Sequence, residues 1–257
     1  MILFNYKNMK EGNNMTKLRR YVFLFLIVSL LVGCGKKTSS NKVEEVNDIT
    51  VISTLQNEIL VLENIKKTRE IYIKGDGKAS DYTDDDKIRY GIEYKISQAG
   101  VPILTKEEIA KLNSKGITGV ASYVDLKDVI SNIKDTFGEN ISEYKTSLGC
   151  PKYTYDDSNE RFYIESKCET TDIETIISKI GKVTKKNNKY YVVIYAGLND
   201  GTNIYSDFEK KNLIKSISVN ESYTITEDNM NMFTKYTYTF EKDSDGKYIF
   251  KSVTKTK

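Results

Sequence analysis

Apolar residues recur every three or four positions in the first half of the chain, and this spacing predicts amphipathic helices. Val51 and Ile52 introduce one such stripe, which continues through Leu55, Ile59, Leu62 and Ile65. A second helix is predicted after Thr83, because a threonine cap is followed by Asp84–Asp86 and acidic residues favour a helix N-terminus. A third is predicted after Thr105, where Thr105 and Glu108 match a capping box.

The clearest helical stripe lies near the middle of the chain and comprises Leu126, Val129, Ile130, Ile133 and Phe137. Gly138 follows it directly, as expected at a helix C-terminus. Gly116 is likewise predicted to end the preceding helix, and 75–78 (GDGK) is predicted to be a loop.

Beyond Gly138 the pattern changes to short alternating runs of Tyr, Thr, Ile and Val separated by turn residues, which predicts strands. Three hairpins are predicted, namely 152–156 with 161–166, 175–184 with 190–196, and 234–241 with 247–253. A further strand is expected at either 214–219 or 221–227. The predicted fold class is therefore α+β, with N-terminal helices followed by a twisted antiparallel sheet.

The N-terminal region carries a targeting pattern. Lys17, Arg19 and Arg20 precede a run of 11 mainly apolar residues at 21–31, which is too short to cross a bilayer but typical of a signal-peptide core. The run ends in Leu31-Val32-Gly33-Cys34, which resembles the lipobox of bacterial lipoproteins. This resemblance implies cleavage after Gly33 and lipidation of Cys34. The alternative is an ordinary secretory signal in which Cys34 is incidental.

These features divide the chain into segments. Residues 1–14 are interpreted as a mis-called start, because Lys10-Glu11-Gly12 is what a purine-rich ribosome-binding sequence would encode if translated. The predicted segments that follow are the lipoprotein signal peptide at 15–33, a flexible polar tether at 34–48, a helical region packing on the sheet at 49–119, and a helix plus antiparallel sheet at 120–257.

Composition narrows the possible functions. The 257 residues include no histidine, which excludes Ser-His-Asp and Cys-His catalysis and histidine-ligated metals. The formal net charge of +3 belongs to the precursor, because residues 1–33 hold five basic residues and one acidic residue, and their removal leaves −1. No electrostatic case for a nucleic-acid partner remains.

Cys150 and Cys168 are the other two cysteines, and they face each other across the predicted hairpin that turns near residue 159. An extracytoplasmic compartment permits a disulfide, so we predict a Cys150–Cys168 bond. A redox pair would be expected to have C-x-x-C spacing. Two free buried thiols are the remaining alternative.

Acidic residues suggest two candidate cation sites, and each has a simpler explanation. The first has the spacing of a calcium loop and comprises Glu241, Asp243, Asp245, Gly246 and Ser252. Ser252 stands where a bidentate glutamate is needed, and Asp245-Gly246 is a hairpin turn signal, so we favour a plain turn. The second comprises Asp81, Asp84, Asp85 and Asp86, which we interpret as helix-capping acids. We therefore predict no metal site and no cofactor.

The chain contains 19 tyrosines, and strand tyrosines can build a ligand-binding face. The residues considered for such a face are Tyr190, Tyr191, Tyr195, Tyr205, Tyr223, Tyr236 and Tyr238. The simpler explanation is that tyrosine suits a half-exposed sheet.

The C-terminal part, 120–257, is similar in pattern to cystatin-like and nuclear-transport-factor-like α+β domains and to lipoproteins of low-GC bacteria. The pattern consists of the helix LKDVISNIKDTFG and a meander closing with YTYTFEKDSDGKYIF. This resemblance implies a helix packed on a curved sheet, with a concavity that is either open or filled.

We hypothesise a non-catalytic lipoprotein, lipid-anchored at the outer face of the cytoplasmic membrane, that binds an envelope component, a peptide or a protein. One alternative is an enzyme that uses Asp or Glu with Tyr in a conical sheet pocket. Another is solute capture for a transporter, although no two-lobed α/β alternation is present. No nucleophile–base pair is recognisable, so we predict no catalytic residue. We also expect no ionisable group to combine deep burial, a strongly shifted pKa and a place in the main pocket.

Overall fold

The computed structural model describes residues 42–141, 144, 148, 152–165, 174–218 and 221–256, with the side chain of residue 99 excepted. Five α-helices lie in these ranges. They are α1 (Ile49–Glu63), α2 (Lys66–Lys74), α3 (Asp84–Ala99), α4 (Lys106–Ser114) and α5 (Leu126–Phe137). Two short 3₁₀ turns occur at Ala79–Asp81 and Met230–Met232.

The described strands form two antiparallel sheets. Their bounds are β1 (Glu44–Glu45), β2 (Asp76–Lys78), β3 (Val120–Asp125), β4 (Tyr153–Asp156), β5 (Arg161–Glu165), β6 (Thr175–Lys186), β7 (Lys189–Asn199), β8 (Asn203–Tyr205), β9 (Leu213–Ser216), β10 (Thr234–Lys242) and β11 (Tyr248–Lys255). The larger sheet has the order β1-β6-β7-β10-β11-β2, with β8 added on β7 and β9 on β8, and the smaller has the order β3-β5-β4. The predicted α+β class is confirmed.

The helix ends follow the sequence signals. Thr83 and Thr105 each accept a hydrogen bond from the third backbone N–H of their helix, and Asp86 and Glu108 complete both capping boxes. Gly138 ends α5 in the left-handed conformation at φ 70°, which glycine adopts without steric cost.

The main hydrophobic core lies between the larger sheet and helices α1, α3 and α5. Helices α3 and α5 approach closely at Gly91, where an added Cβ would lie 2.8 Å from the carbonyl oxygen of Val129. Asn132 on α5 donates to the carbonyl oxygen of Gly91 at 2.9 Å. A larger residue at position 91 would force these helices apart.

Several short elements differ from the sequence prediction. The stripe 51–65 was predicted as one helix, but α1 ends at Glu63, and Ile65 is extended at ψ 126° as the N-cap of a second helix, α2, which was not predicted. The predicted loop at 75–78 is wrong, since β2 within it pairs with β11. Strand β1 lies inside the segment predicted to be a flexible tether, and β3 and β8 were not predicted. Such short strands depend on hydrogen bonds from a distant neighbour, which local pattern does not encode.

Candidate functional site

Glu63, the last residue of α1, has a buried carboxylate inside the main core. The Tyr72 hydroxyl donates to its Oε1 at 2.7 Å, and the Ser178 hydroxyl of β6 donates to its Oε2 at 2.6 Å. Burial raises the pKa of Glu63 from 4.5 to about 7, and these two hydrogen bonds oppose the rise only in part. A carboxyl group that titrates near neutral pH therefore lies against the sheet.

Tyrosines surround this carboxyl group. The hydroxyl oxygens of Tyr72 and Tyr238 are 2.7 Å apart, and the Tyr236 hydroxyl donates to the backbone carbonyl of Tyr72 at 3.0 Å. The rings of Tyr72 and Tyr236 stack with centroids 4.2 Å apart. Burial holds the pKa of both Tyr72 and Tyr238 well above its usual range, so these phenols act as hydrogen-bond donors rather than as bases.

A second buried carboxylate, Glu58, lies five residues earlier on α1. Its Oε2 accepts hydrogen bonds from the hydroxyls of Tyr90 and Thr136, the latter at 2.8 Å. Burial raises the pKa of Glu58, and hydrogen bonds from Tyr90 and Thr136 oppose that rise. Tyrosine and hydroxyl donors thus enclose both glutamates of this helix.

Glu58 and Glu63 were not predicted, because the acidic residues singled out in the sequence are those at turns and helix starts. The signal that could have found them is their position on the apolar stripe of α1. Glu58 follows Leu55 by three residues, and Glu63 follows Ile59 by four. Residues at these spacings share a helix face, so the spacing predicts that both carboxylates face the core.

The larger sheet carries an open cleft along β6, which we call the edge cleft. Its volume is about 490 Å³. Strand β6 contributes residues 178–183, α1 contributes Ile52 and Gln56, and the remaining lining comes from 45–47 and from Thr224 and Ile225. Glu63 does not line it, but Ser178 belongs to the cleft and also binds the Glu63 carboxylate.

Gly181 shapes the middle of the edge cleft. The register of β6 against β7 shifts between Ile180 and Lys182, so Gly181 is the extra residue of a β-bulge. An added Cβ at Gly181 would lie 2.6 Å from the ring of Tyr195 on β7. Glycine is therefore needed for the Tyr195 ring to cover the bulge.

A second cleft of about 380 Å³ lies between α3, β3 and α5, and its residues include Lys95, Pro102, Asp125 and Asp128. Lys95 and Asp128 form an ion pair at 2.9 Å across it. The Asp125 carboxylate accepts a hydrogen bond from Arg161 at 3.1 Å. Its charges are thus mutually neutralised, and neither buried glutamate lines this cleft.

The cysteines on which the anchor and disulfide predictions rest, Cys34, Cys150 and Cys168, lie outside the described residues. Asp243 lies in the turn between β10 and β11, where its Oδ1 accepts from the backbone N–H groups of Asp245 and Lys247 at 3.0 and 2.8 Å. This carboxylate serves the turn, as in the plain-turn interpretation. In the described ranges, no three or more His, Cys, Asp or Glu side chains are grouped to hold a metal ion.

The acidic residues at 81–86 and the strand tyrosines considered in the sequence do not come together at one site. Asp81 and Asp86 accept hydrogen bonds from the backbone N–H groups of Lys78 and Thr83, both at 2.9 Å, as helix-start acids do. The tyrosines do not form one ligand face: Tyr190, Tyr236 and Tyr238 are buried in the main core, whereas Tyr195 and Tyr223 pack around a separate small cluster.

The comparisons with known proteins add no assignment. No protein-family model, no curated protein and no solved structure matches this chain. Among the helices that the structure describes, none combines the length and apolar content needed to cross a membrane.

Proposed function

We propose that this protein is a membrane-anchored, extracytoplasmic binding module without catalytic activity, and that the edge cleft is its ligand site. The anchoring part follows from Leu31-Val32-Gly33-Cys34 and the polar residues after it. The binding part is supported by one observation above all. The edge cleft opens to solvent along a sheet edge, whereas hydroxyl donors enclose both core glutamates, and neither glutamate lines the cleft although Ser178 reaches from it to Glu63.

The test uses a photoreactive amino acid at two exposed positions in the full-length protein, in living cells. Gln56 lies in the edge cleft, and Lys251 lies on the exposed face of β11 as the matched control. We expect a discrete crosslinked product at Gln56 that is absent at Lys251. Equal labelling at both positions, or none at Gln56, would contradict a ligand site in this cleft.

A second candidate is an enzyme, and the bond between Ser178 and Glu63 is the observation that favours it. A carboxylate with a pKa of about 7 could accept the Ser178 proton while the serine oxygen attacks an acyl or phosphoryl centre in the cleft. The bond from that centre to the leaving group then breaks, and the Glu63 carboxyl group returns the proton to the departing group. A fluorophosphonate probe decides between the two. Stoichiometric labelling of Ser178 that Glu63→Gln abolishes would favour the enzyme, and unlabelled Ser178 supports the binding module.

A further inference from the structure

Strand β6 is the longest of the described strands, and among these strands one of its edges is covered and the other is mostly open. Strand β7 pairs with it along its whole length, from Thr175 to Lys186. On the other edge, β1 pairs only with Thr184 and Lys185. Within the described ranges no strand continues this pairing, so Thr175–Lys182 presents about 25 Å of backbone without a strand partner.

Strand β1 shows how this edge accepts a chain. It runs antiparallel to β6, and the Val46 N–H donates to the carbonyl oxygen of Val183 at 3.0 Å. The chain then turns away, because Asp48 caps the start of α1. The ladder that β1 begins therefore stops where the edge cleft starts, and a second strand could continue it.

The edge cleft has a wall on each face of β6. On the core face, Ile52 of α1 and Ile180 of β6 both pack against the main core. On the opposite face, Ile225 packs in the same small cluster as Ile177 of β6. An added strand would therefore have an apolar wall on its core face, and on the opposite face it would meet Ile225 together with Lys179 and Lys182.

The α1 wall extends beyond the cleft as one stripe at helical spacing, formed by Ile49, Ile52, Gln56 and Leu60. Ile49 and Leu60 are 80% and 46% exposed, so this stripe presents apolar surface to solvent. A chain lying along β6 would cover part of this stripe.

Two lysines add positive charge to the edge cleft. Lys179 and Lys182 belong to the cleft, and each forms an ion pair at 3.0 Å, with Glu227 and Glu45 respectively. Both glutamates are more than half exposed, so these pairs contribute little and can be exchanged for others. Lysines and bulges also protect free edges against aggregation. Protection alone predicts that no peptide pairs with this edge, and the experiment below tests that outcome.

We infer that the edge cleft binds an extended peptide segment of a partner protein, which adds to β6 as a strand and alternates apolar with acidic residues. Its apolar side chains face Ile52 and Ile180, and its carboxylates meet Lys179 and Lys182, because side chains beside each other on neighbouring strands share a face. This inference rests on the proposed binding function and specifies its ligand class.

The test measures binding of a fluorescein-labelled octapeptide of alternating valine and glutamate to the full-length protein in detergent. We expect saturable binding that slows backbone hydrogen exchange in 175–182. The double variant Lys179→Glu/Lys182→Glu should weaken binding at least tenfold and should bind the peptide with lysine in place of glutamate. Lys186→Glu, on the same strand but outside the cleft, should change binding less than twofold.

Backbone pairing is tested separately by methylating alternate peptide nitrogens in the two possible patterns. One pattern should lose binding, because an added strand uses every second N–H toward its neighbour. Equal binding of both, or no protection of 175–182, would overturn strand addition. If the peptide fails while Gln56 still crosslinks a ligand, the peptide class is wrong and the binding module stands. Failure of both would refute the proposed function itself.

Discussion

A carboxylate inside an apolar core is tolerated when its oxygens receive hydrogen bonds. Glu63 obtains one from Tyr72 and one from Ser178, and these donors come from α2 and β6. The carboxylate thus joins two parts of the chain that are more than 100 residues apart. Its polar contacts fix the position of α1 against the sheet, which apolar packing alone would leave less specific.

The raised pKa of Glu63 predicts a pH dependence of folding stability. Because the folded protein holds this proton up to pH about 7 and the unfolded chain releases it near 4.5, the stabilisation is complete below pH 4.5. It is lost as pH rises through 7, a change of about 3 kcal/mol. Glu63→Gln removes this contribution, so the wild type should lose about 3 kcal/mol relative to the variant between pH 4.5 and 7.5.

Urea unfolding at several pH values measures this difference in the free energy of unfolding. Glu70→Gln is the matched control, since Glu70 is an exposed glutamate on α2 paired with Lys67 at 3.2 Å. A difference between wild type and Glu63→Gln that stays constant with pH would contradict the assignment.

Among the helices and strands, the features that the sequence predicted are those stabilised by residues close in the chain. The caps at Thr83 and Thr105 and the end at Gly138 were predictable because a helix end is satisfied by residues within one turn. Strands β1 and β2 were not, since each exists only through a ladder with a strand more than 100 residues away. The edge cleft was not predictable for the same reason. It exists because no described strand pairs with most of one edge of β6, and strand pairing is not encoded locally.

The cap at Thr83 gives the element-scale prediction. Its Oγ1 accepts from the Asp86 N–H at 3.2 Å and donates to the Asp86 carboxylate at 2.7 Å. Thr83→Ala should lower the free energy of unfolding by about 1 kcal/mol, because the first turn of α3 loses its acceptor. Thr83→Ser keeps the hydroxyl and should stay near wild type. Chemical denaturation of the three proteins measures this, and an unaffected alanine variant would show that the cap contributes nothing.

At the scale of the whole molecule, the proposed lipid anchor at Cys34 gives a further prediction. A diacylglycerol thioether at Cys34 would supply two chains, and each buried methylene contributes about 0.8 kcal/mol to membrane association. Cys34→Ala should therefore move the protein from the membrane fraction to unprocessed precursor or released material, without altering the folded domain. Fractionation with globomycin-treated wild type as a control measures this. Normal processing and unchanged membrane partition of the variant would contradict lipidation.

Strand β1 is also the first element of the described fold to bear a pulling force applied to the chain before Lys42. Tension on the chain before Lys42 enters the fold through β1, whose pairing with β6 spans two residues and the Val46 hydrogen bond. So short a ladder has far fewer hydrogen bonds to break than the pairing of β6 with β7 along Thr175–Lys186. Its release would lengthen the free edge of β6 from Lys182 toward Lys186. If the proposed lipid anchor and binding edge both hold, a pull on the anchor makes more of β6 available to a partner.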